Sequence, residues 1–396
     1  MLGNNKNIFQ KKSSSFELIE SVNGRLTLFL FDEEGLIYSS ADNKLHLLNG
    51  LGMYVWLLFE DGFSKQEVFS TCSTQVSTQS AEFNDLVDEL HILFSNGELP
   101  CKVDDEEEIW LKEVPQHNDD LGRLGSYYKI LDSIIAISYC DIFSKKAIEP
   151  LLSVFSHVGV EVCNYKIYIK KLGKDYLISI NGYDFSWRIP KQQLAAFFND
   201  RVRKLVFTPS DYFLASHAAV LAKGDKCLMM PAVSYSGKST LSAALLSADY
   251  QYFSDEMAVI DRDYQARPVP LGIGLKHGSW HLLASYLPQL ADLEEQQRWD
   301  GIPLKYVPID HSIRHGKDRK KVSHLVFPTY RLESTAQLLP ISTPQAVSQL
   351  FKAGFTMQGP FSKKQVIELL SWVESIPAYK FEFSQLDEAI DCLDVL

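Results

Sequence analysis

The residues with the clearest chemical meaning are Ala232-Val233-Ser234-Tyr235-Ser236-Gly237-Lys238-Ser239-Thr240. An apolar run, Cys227-Leu228-Met229-Met230, precedes them, and the helix-like run Leu241-Ser242-Ala243-Ala244-Leu245-Leu246 follows. A strand, a tight loop closing on Gly-Lys-Ser and a helix make a cradle for phosphate. Backbone N–H groups and the helix N-terminus face the anion, and the lysine adds a point charge. The serine hydroxyl can hold Mg²⁺. The expected ligand is ATP or another nucleoside triphosphate, bound by Ala232, Ser234, Tyr235, Ser236, Gly237, Lys238, Ser239 and Thr240. The loop departs from G-x-x-x-x-G-K-[ST] at Ala232, where the first glycine belongs, and Tyr235 stands at an inner position that is often glycine. A side chain pays a steric penalty at positive φ, so both changes are expected to strain the loop.

Further along, Tyr250-Gln251-Tyr252-Phe253-Ser254-Asp255-Glu256 reads as an apolar strand ending in two adjacent carboxylates. One carboxylate can hold a metal through water; the other can orient an attacking hydroxyl and accept its proton. Asp255 is the expected base and Glu256 the metal-side or supporting carboxylate, so the metal set is Ser239, Asp255 and Glu256. Between Lys238 and Asp255 there is room for a helix of about ten residues and a short strand, which returns the acids to the loop's end of the sheet. His217 lies in Ala215-Ser216-His217-Ala218-Ala219-Val220-Leu221, which reads as one buried strand just before the loop strand. It is expected to hold an acidic partner or touch the terminal phosphate. Lys276 follows Gly272-Ile273-Gly274, read as a turn, and is a candidate phosphate or substrate contact. The dense basic run Arg314-His315-Gly316-Lys317-Asp318-Arg319-Lys320-Lys321 reads as a solvated loop that could also neutralise phosphate charge.

The elements upstream form a different pattern. Residues 1–15 are polar and Ser-rich, a loose tail. Arg25–Phe31, Leu36–Tyr38 and Lys44–Leu48 read as strands, with Asp42-Asn43 as turn chemistry. Three helices follow: Gly50 to Glu60, a second after the N-cap candidate Ser64, and Ala81 to Phe94 with Phe83, Leu86, Val87, Leu90, Leu93 and Phe94 on one stripe. Asn96-Gly97 ends the last of them. Asp104-Asp105-Glu106-Glu107-Glu108 sits in an acidic linker over 101–115. From 116 to 205 helix and strand mix, with Tyr165–Ile169 and Tyr176–Ile180 alternating like a hairpin. This stretch is expected to cover the edge of the nucleotide-binding sheet. The domains are therefore 16–100 and 116–396.

At 396 residues the chain holds two or three domains, and a 46% hydrophobic, 22% charged composition is that of a globular protein. A formal net charge of −11 argues against a general nucleic-acid binder. The six cysteines include no C-x-x-C pair, which disfavours a zinc site and suits a reducing cytosol. No signal peptide and no membrane-length apolar run is visible, so the expected location is cytoplasmic.

Two resemblances follow from these residues. Over roughly 20–98, the strand pair at 25–38, the Leu47-Leu48-Asn49 entry to the first helix, the Asp61-Gly62-Phe63-Ser64 break and the final amphipathic helix give a winged-helix-like unit. It resembles the PqqD-like recognition element of systems that modify ribosomally made peptides. The resemblance implies that a leader peptide adds as a strand, placed between the Leu36–Ser40 strand and the helix 81–95, although either sheet edge could serve. Over about 160–396, His217-Ala218-Ala219-Val220, Ser236-Gly237-Lys238-Ser239-Thr240-Leu241, Phe253–Ile260, Pro268-Val269-Pro270, Leu275-Lys276-His277-Gly278-Ser279-Trp280, Val326–Tyr330 and Ile376–Tyr379 look like the HPr-serine-kinase-related proteins. Glu256 departs from that family, which usually has a second aspartate there.

The second resemblance implies an α/β P-loop domain of the HPr kinase and phosphoenolpyruvate-carboxykinase type joined to the α+β recognition domain. It also implies transfer of phosphate from ATP with Mg²⁺ to a serine of a precursor peptide or small protein. Catalysis would fall to Asp255, Glu256, His217 and Lys238, with Lys276 among the nucleotide contacts. Family members often form multimers, so a homo-oligomer is implied without any residue here that demands one. Two alternatives stay open at this level: an inert nucleotide- or peptide-binding module, and a small-molecule kinase.

Overall fold

The computed structural model describes residues 16–21, 24–32, 34–41, 44–72, 81–96, 125–155, 163–184, 187–207, 210–309, 315–359 and 361–396. The tail 1–15, the acidic linker 101–115, the turn Asp42-Asn43, Gly97 and Arg314 lie outside them. The architecture is mixed α/β, and the chain divides into two compact units.

The first unit comprises Met1–Glu106 together with Ser342–Ser348 and Gly359–Ser375. Its four strands form a meander in the order Glu17–Glu20, Leu26–Leu30, Gly35–Ser39, Lys44–Leu48, all antiparallel. The helices Gly50–Glu60, Lys65–Cys72 and Ala81–Asn96 follow at the predicted places. Asn49 caps the first through its side chain, which accepts from the Gly52 amide at 2.8 Å. Phe83, Val87, Leu90 and Leu93 pack against Val55, Trp56 and Phe59 as the helical spacing predicts.

The meander corrects one expectation. The strand Gly35–Ser39 has a partner on both sides, so it offers no edge to a peptide; the edges belong to Glu17–Glu20 and Lys44–Leu48. The distant helix Lys363–Glu374 also belongs to this unit, although the sequence places it in the second domain. Lys363 pairs with Glu20, Gln345 donates to Glu34 at 2.7 Å, and the Tyr38 and Phe361 rings meet edge to face at 6.0 Å. Nothing local in 359–375 signals that partnership.

The second unit comprises Glu107–Ile341, Gln349–Gln358 and Ile376–Leu396. Its central sheet runs Gln251–Ser254, Ala218–Lys223, Lys226–Pro231, His324–Tyr330, Ala378–Phe383, Gln337–Pro340. The three middle-to-late strands, Lys226–Pro231, His324–Tyr330 and Ala378–Phe383, are parallel. The helix Lys238–Ser247 buries Leu241, Ala244 and Leu245 against Leu228, Met230, Val326 and Phe381. Each fully buried leucine contributes about 1.5–3 kcal/mol.

The described strands of the region 116–205 do not join this sheet. They form their own, in the order Ser126–Ile130, Ser133–Ser138, Tyr165–Leu172, Asp175–Ile180, Tyr183–Asp184. The helix Leu194–Phe207 lies on it, burying Leu194, Phe198, Val202 and Val206 at intervals of four. The same core takes in Ala215 and Val259 from a further sheet. Asn199 and Arg203, one turn apart, flank that apolar stripe. Replacing Phe198, 1% exposed, by alanine is expected to cost about 3–5 kcal/mol, read as a lowered urea midpoint.

Candidate functional site

The loop after Lys226–Pro231 is held by backbone bonds at both ends. The Ala232 amide donates to the His217 carbonyl at 3.4 Å, and the Tyr330 amide donates to the Ser236 carbonyl at 2.8 Å. Ala232 does not take a positive φ, so the missing first glycine carries no strain, contrary to expectation. Tyr235 does, at 69°. A non-glycine residue there costs about 1–2 kcal/mol. The Tyr235 ring is 73% exposed, and the Lys276 ammonium sits 3.7 Å from its centroid. Such a contact returns about 0.5–1 kcal/mol at an exposed site, which offsets much of the strain.

Gly237 stands at φ 87° as the residue before the helix. A Cβ there would lie 3.1 Å from both Phe383 Cζ and Tyr330 Cβ, so both the backbone and the space call for glycine. Gly237 gives the helix that follows no side-chain cap; the Lys238 amide donates to the Ser236 hydroxyl at 3.4 Å, and such a helix N-terminus suits an anion. The hydroxyls of Ser239 and Thr240 make no hydrogen bond among the described residues. A depression of about 220 Å³ lies along the loop from Pro231 to Ser236, against Phe327–Tyr330, Gln349 and Lys380.

Lys238 is 5% exposed and Asp255 1%. The Lys238 ammonium donates to the Asp255 carbonyl and lies 3.5 Å from its Oδ1. Neither carboxylate oxygen of Asp255 accepts a hydrogen bond among the described residues. A buried carboxylate with both oxygens uncommitted is costly unless something else uses it.

Glu256 faces other partners. Its Oε2 accepts from Arg203 Nη1 at 2.9 Å and lies 3.2 Å from His217 Nε2. Burial pushes this carboxyl up, but the His217 hydrogen bond and the charges of Arg203 and Lys238 outweigh it and hold it well below the ordinary glutamate range. Arg203 also reaches the Asn199 carbonyl at 3.4 Å and Asp200 at 3.5 Å. A small cavity lined by Asn199, Arg203, Tyr252, Asp255, Glu256 and Gly272 opens beside the pair.

His217 is not inside one strand as read from sequence. Leu214–Ser216 and Ala218–Lys223 belong to different sheets, and His217 is the residue between them. Its amide donates to the Gly354 carbonyl at 3.0 Å. That junction frees the ring from the core and leaves it half-buried beside Glu256. Lys276 likewise ends a strand, Ile273–Lys276, rather than a glycine-rich turn.

The described part of the basic run is an exposed loop, as read from sequence, but it is anchored to the fold. Gly316 donates to the Tyr252 carbonyl at 2.8 Å, Lys320–Lys321 pairs with Gln265–Arg267, and Arg319 binds Asp261 at 2.9 Å. These contacts are structural.

Loop and acids thus meet as the sequence predicts, through His217, Lys238, Asp255 and Glu256. Arg203 went unseen, because Asp200 three residues earlier makes it look like a helix-surface ion pair, and nothing in linear spacing ties 203 to 256. Among the described residues no group of three or more His, Cys, Asp or Glu side chains could hold a metal. A scan of protein-family models finds no match to the chain, and a search of curated proteins finds none either.

A depressed carboxyl stabilises the fold above the unfolded value, about pH 4.5, and that contribution is lost as the pH falls through the lower folded value. Arg203→Leu should therefore destabilise the chain by on the order of 1–2 kcal/mol at pH 7, Glu256 being partly solvated. The difference from the parent should shrink toward pH 3, as urea midpoints across pH will show.

Proposed function

We propose that the chain is a kinase that transfers the terminal phosphate of ATP, or another nucleoside triphosphate, to a serine or threonine hydroxyl of a precursor peptide or small protein. The observation that carries this reading is the pairing of Lys238, at the start of an uncapped helix, with an uncommitted buried carboxylate on Asp255. Transfer of a phosphoryl group needs little covalent help from protein. It needs positive charge on the phosphates and an acceptor for the hydroxyl proton, and these two residues are suited to supply them.

The division of labour between the acids follows from their partners. Glu256 is ion-paired with Arg203 and hydrogen-bonded to His217, and its lowered carboxyl is a weak base, so it suits a positioning role for His217. Asp255 has no hydrogen bond to either oxygen and only the Lys238 ammonium, 3.5 Å from Oδ1, beside it, so it has room for a proton and a cation. Mg²⁺ does not require three protein ligands, because it keeps several waters and binds through one or two carboxylates and the phosphates. The Ser239 hydroxyl and Asp255 carboxylate fit that donor set and would hold it, with Glu256 a poorer ligand than the sequence suggests. When bound, the ion neutralises charge developing on the phosphates. The other steps belong to the chain. Lys238 and the loop amides orient the phosphates, and Asp255 takes the hydroxyl proton.

The first unit suits the docking of a leader. An extended peptide can add to a sheet edge through main-chain hydrogen bonds. Glu20 on one edge strand is engaged by Lys363, which favours the other, Lys44–Leu48, where Leu47 is 42% exposed. Docking raises the local concentration of the acceptor hydroxyl. The kinase and recognition-element resemblances agree with this arrangement.

The burial of Asp255 favours a second reading, an inert module that binds nucleotide without transfer. Lys238→Ala and Asp255→Asn separate the two. For a kinase, labelling of a peptide or protein substrate by radioactive ATP should fall about 10²-fold or more in each, while Asp255→Asn still binds the nucleotide. Nucleotide binding with no labelling by the parent chain would support the inert module. A parent chain that binds no nucleotide by calorimetry, with or without Mg²⁺, would sink both.

A further inference from the structure

A cationic rim, Lys276 and Arg298, begins at the loop tip, where the Lys276 ammonium lies 3.7 Å from the Tyr235 ring centroid. The strands Ile273–Lys276 and Gln296–Gln297 flank Pro303–Val307, with Lys276 and Gln296 both opposite Leu304. The chain leaves Gln297 into Arg298, whose amide donates to the Ile302 carbonyl at 3.0 Å. Lys276 and Arg298 therefore reach the same end of this small sheet, with Pro303–Val307 between the strands that carry them.

Their electrostatics agree with that placement. Burial first and the charge of Arg298 next lower the Lys276 ammonium, while Glu256 and Asp300 pull it back. The Asp300 hydrogen bond holds Arg298 above its ordinary value, with Tyr235 and Glu256 adding to it. The Tyr235 contact places the Lys276 end of the rim at the loop tip.

The turn that carries Arg298 is stiff. Asp300 accepts from Arg298 Nε at 3.0 and 3.1 Å, and the Gly301 amide donates to the Arg298 carbonyl at 2.9 Å. On this braced turn Trp299 is 78% exposed. A large indole held open to water by a rigid turn offers an apolar face at low entropic cost. A single exposed aromatic is ordinary on a surface; this one directly follows Arg298 on the braced turn, so a guanidinium and an indole are presented side by side.

We infer that Trp299, Arg298 and Lys276 select the acceptor segment of the substrate, an extended peptide with a carboxylate and an apolar or aromatic residue close to the hydroxyl. The inference rests on the kinase reading and names the chemistry of its acceptor. The carboxylate meets the two cations, and the apolar residue covers the indole. On a chain with a formal net charge of −11, such a cationic rim would draw an acidic segment toward this one place.

The test uses the full chain and two short fluorescein-labelled peptides that differ only in having Asp-Ser-Phe or Lys-Ser-Phe at the centre. Their binding is followed by anisotropy with Mg²⁺ and a non-hydrolysable ATP analogue present. The acidic peptide should bind about tenfold more tightly at low salt, a difference of about 1.4 kcal/mol, and the gap should close as salt rises. Trp299→Ala and Arg298→Gln should each remove about fivefold or more of the acidic peptide's affinity, leaving affinity for the ATP analogue unchanged. Equal affinities, no binding of either peptide, or variants that lose the analogue rather than the peptide would overturn the proposal. Repeating the titration without nucleotide keeps the two readings apart. A parent chain that prefers the acidic peptide but never binds the analogue defeats the kinase reading and leaves the peptide preference standing.

Discussion

Everything around the loop depends on the ammonium of Lys238 being out of water. A charge so deeply buried must find compensation within the fold, and Asp255 provides it twice, through its carbonyl and its carboxylate. That demand fixes the order of the central sheet on one side. The strand ending at Ser254 must pair with Ala218–Lys223, which in turn pairs with the loop strand. The adjacent acids then arrive beside the helix that begins at Lys238.

On the other side the loop is anchored by the parallel strands. Tyr330 and Phe383, at the ends of His324–Tyr330 and Ala378–Phe383, crowd Gly237, so that a side chain there would have to push them aside as well as hold a positive φ. The strain at Tyr235 is placed where the ring is open to water and Lys276 can lie over it. Substitutions that look like damage in the motif are thus accommodated differently: Ala232 needs no left-handed backbone, and Tyr235 takes one with a partner.

The two neighbouring carboxylates illustrate how environment separates like groups. Asp255 points toward a buried lysine with no hydrogen bond to either oxygen, whereas Glu256 is shared by a guanidinium and an imidazole. Such divergence in surroundings is the usual physical basis for giving two acids different tasks. It arises from the junction at His217, where the chain passes from one sheet to another, and from the helix Leu194–Phe207, whose apolar stripe sets Arg203 against Glu256.

The sequence by itself determined the strand, loop and helix from Cys227 to Leu246, the acids after Ser254, and the three helices between Gly50 and Asn96. In those stretches the signal is local: apolar period, glycine before a helix, a capping residue. Tertiary structure decided the rest. It put Lys363–Glu374 with the N-terminal strands, gave Gly35–Ser39 partners on both sides, made a separate sheet of the described strands between Ser126 and Asp184, anchored the described part of the basic run, and brought Arg203 to Glu256. Those outcomes depend on which strands pair and which helix faces what, and pairing between residues far apart in the chain leaves no mark in the periodicity of either partner.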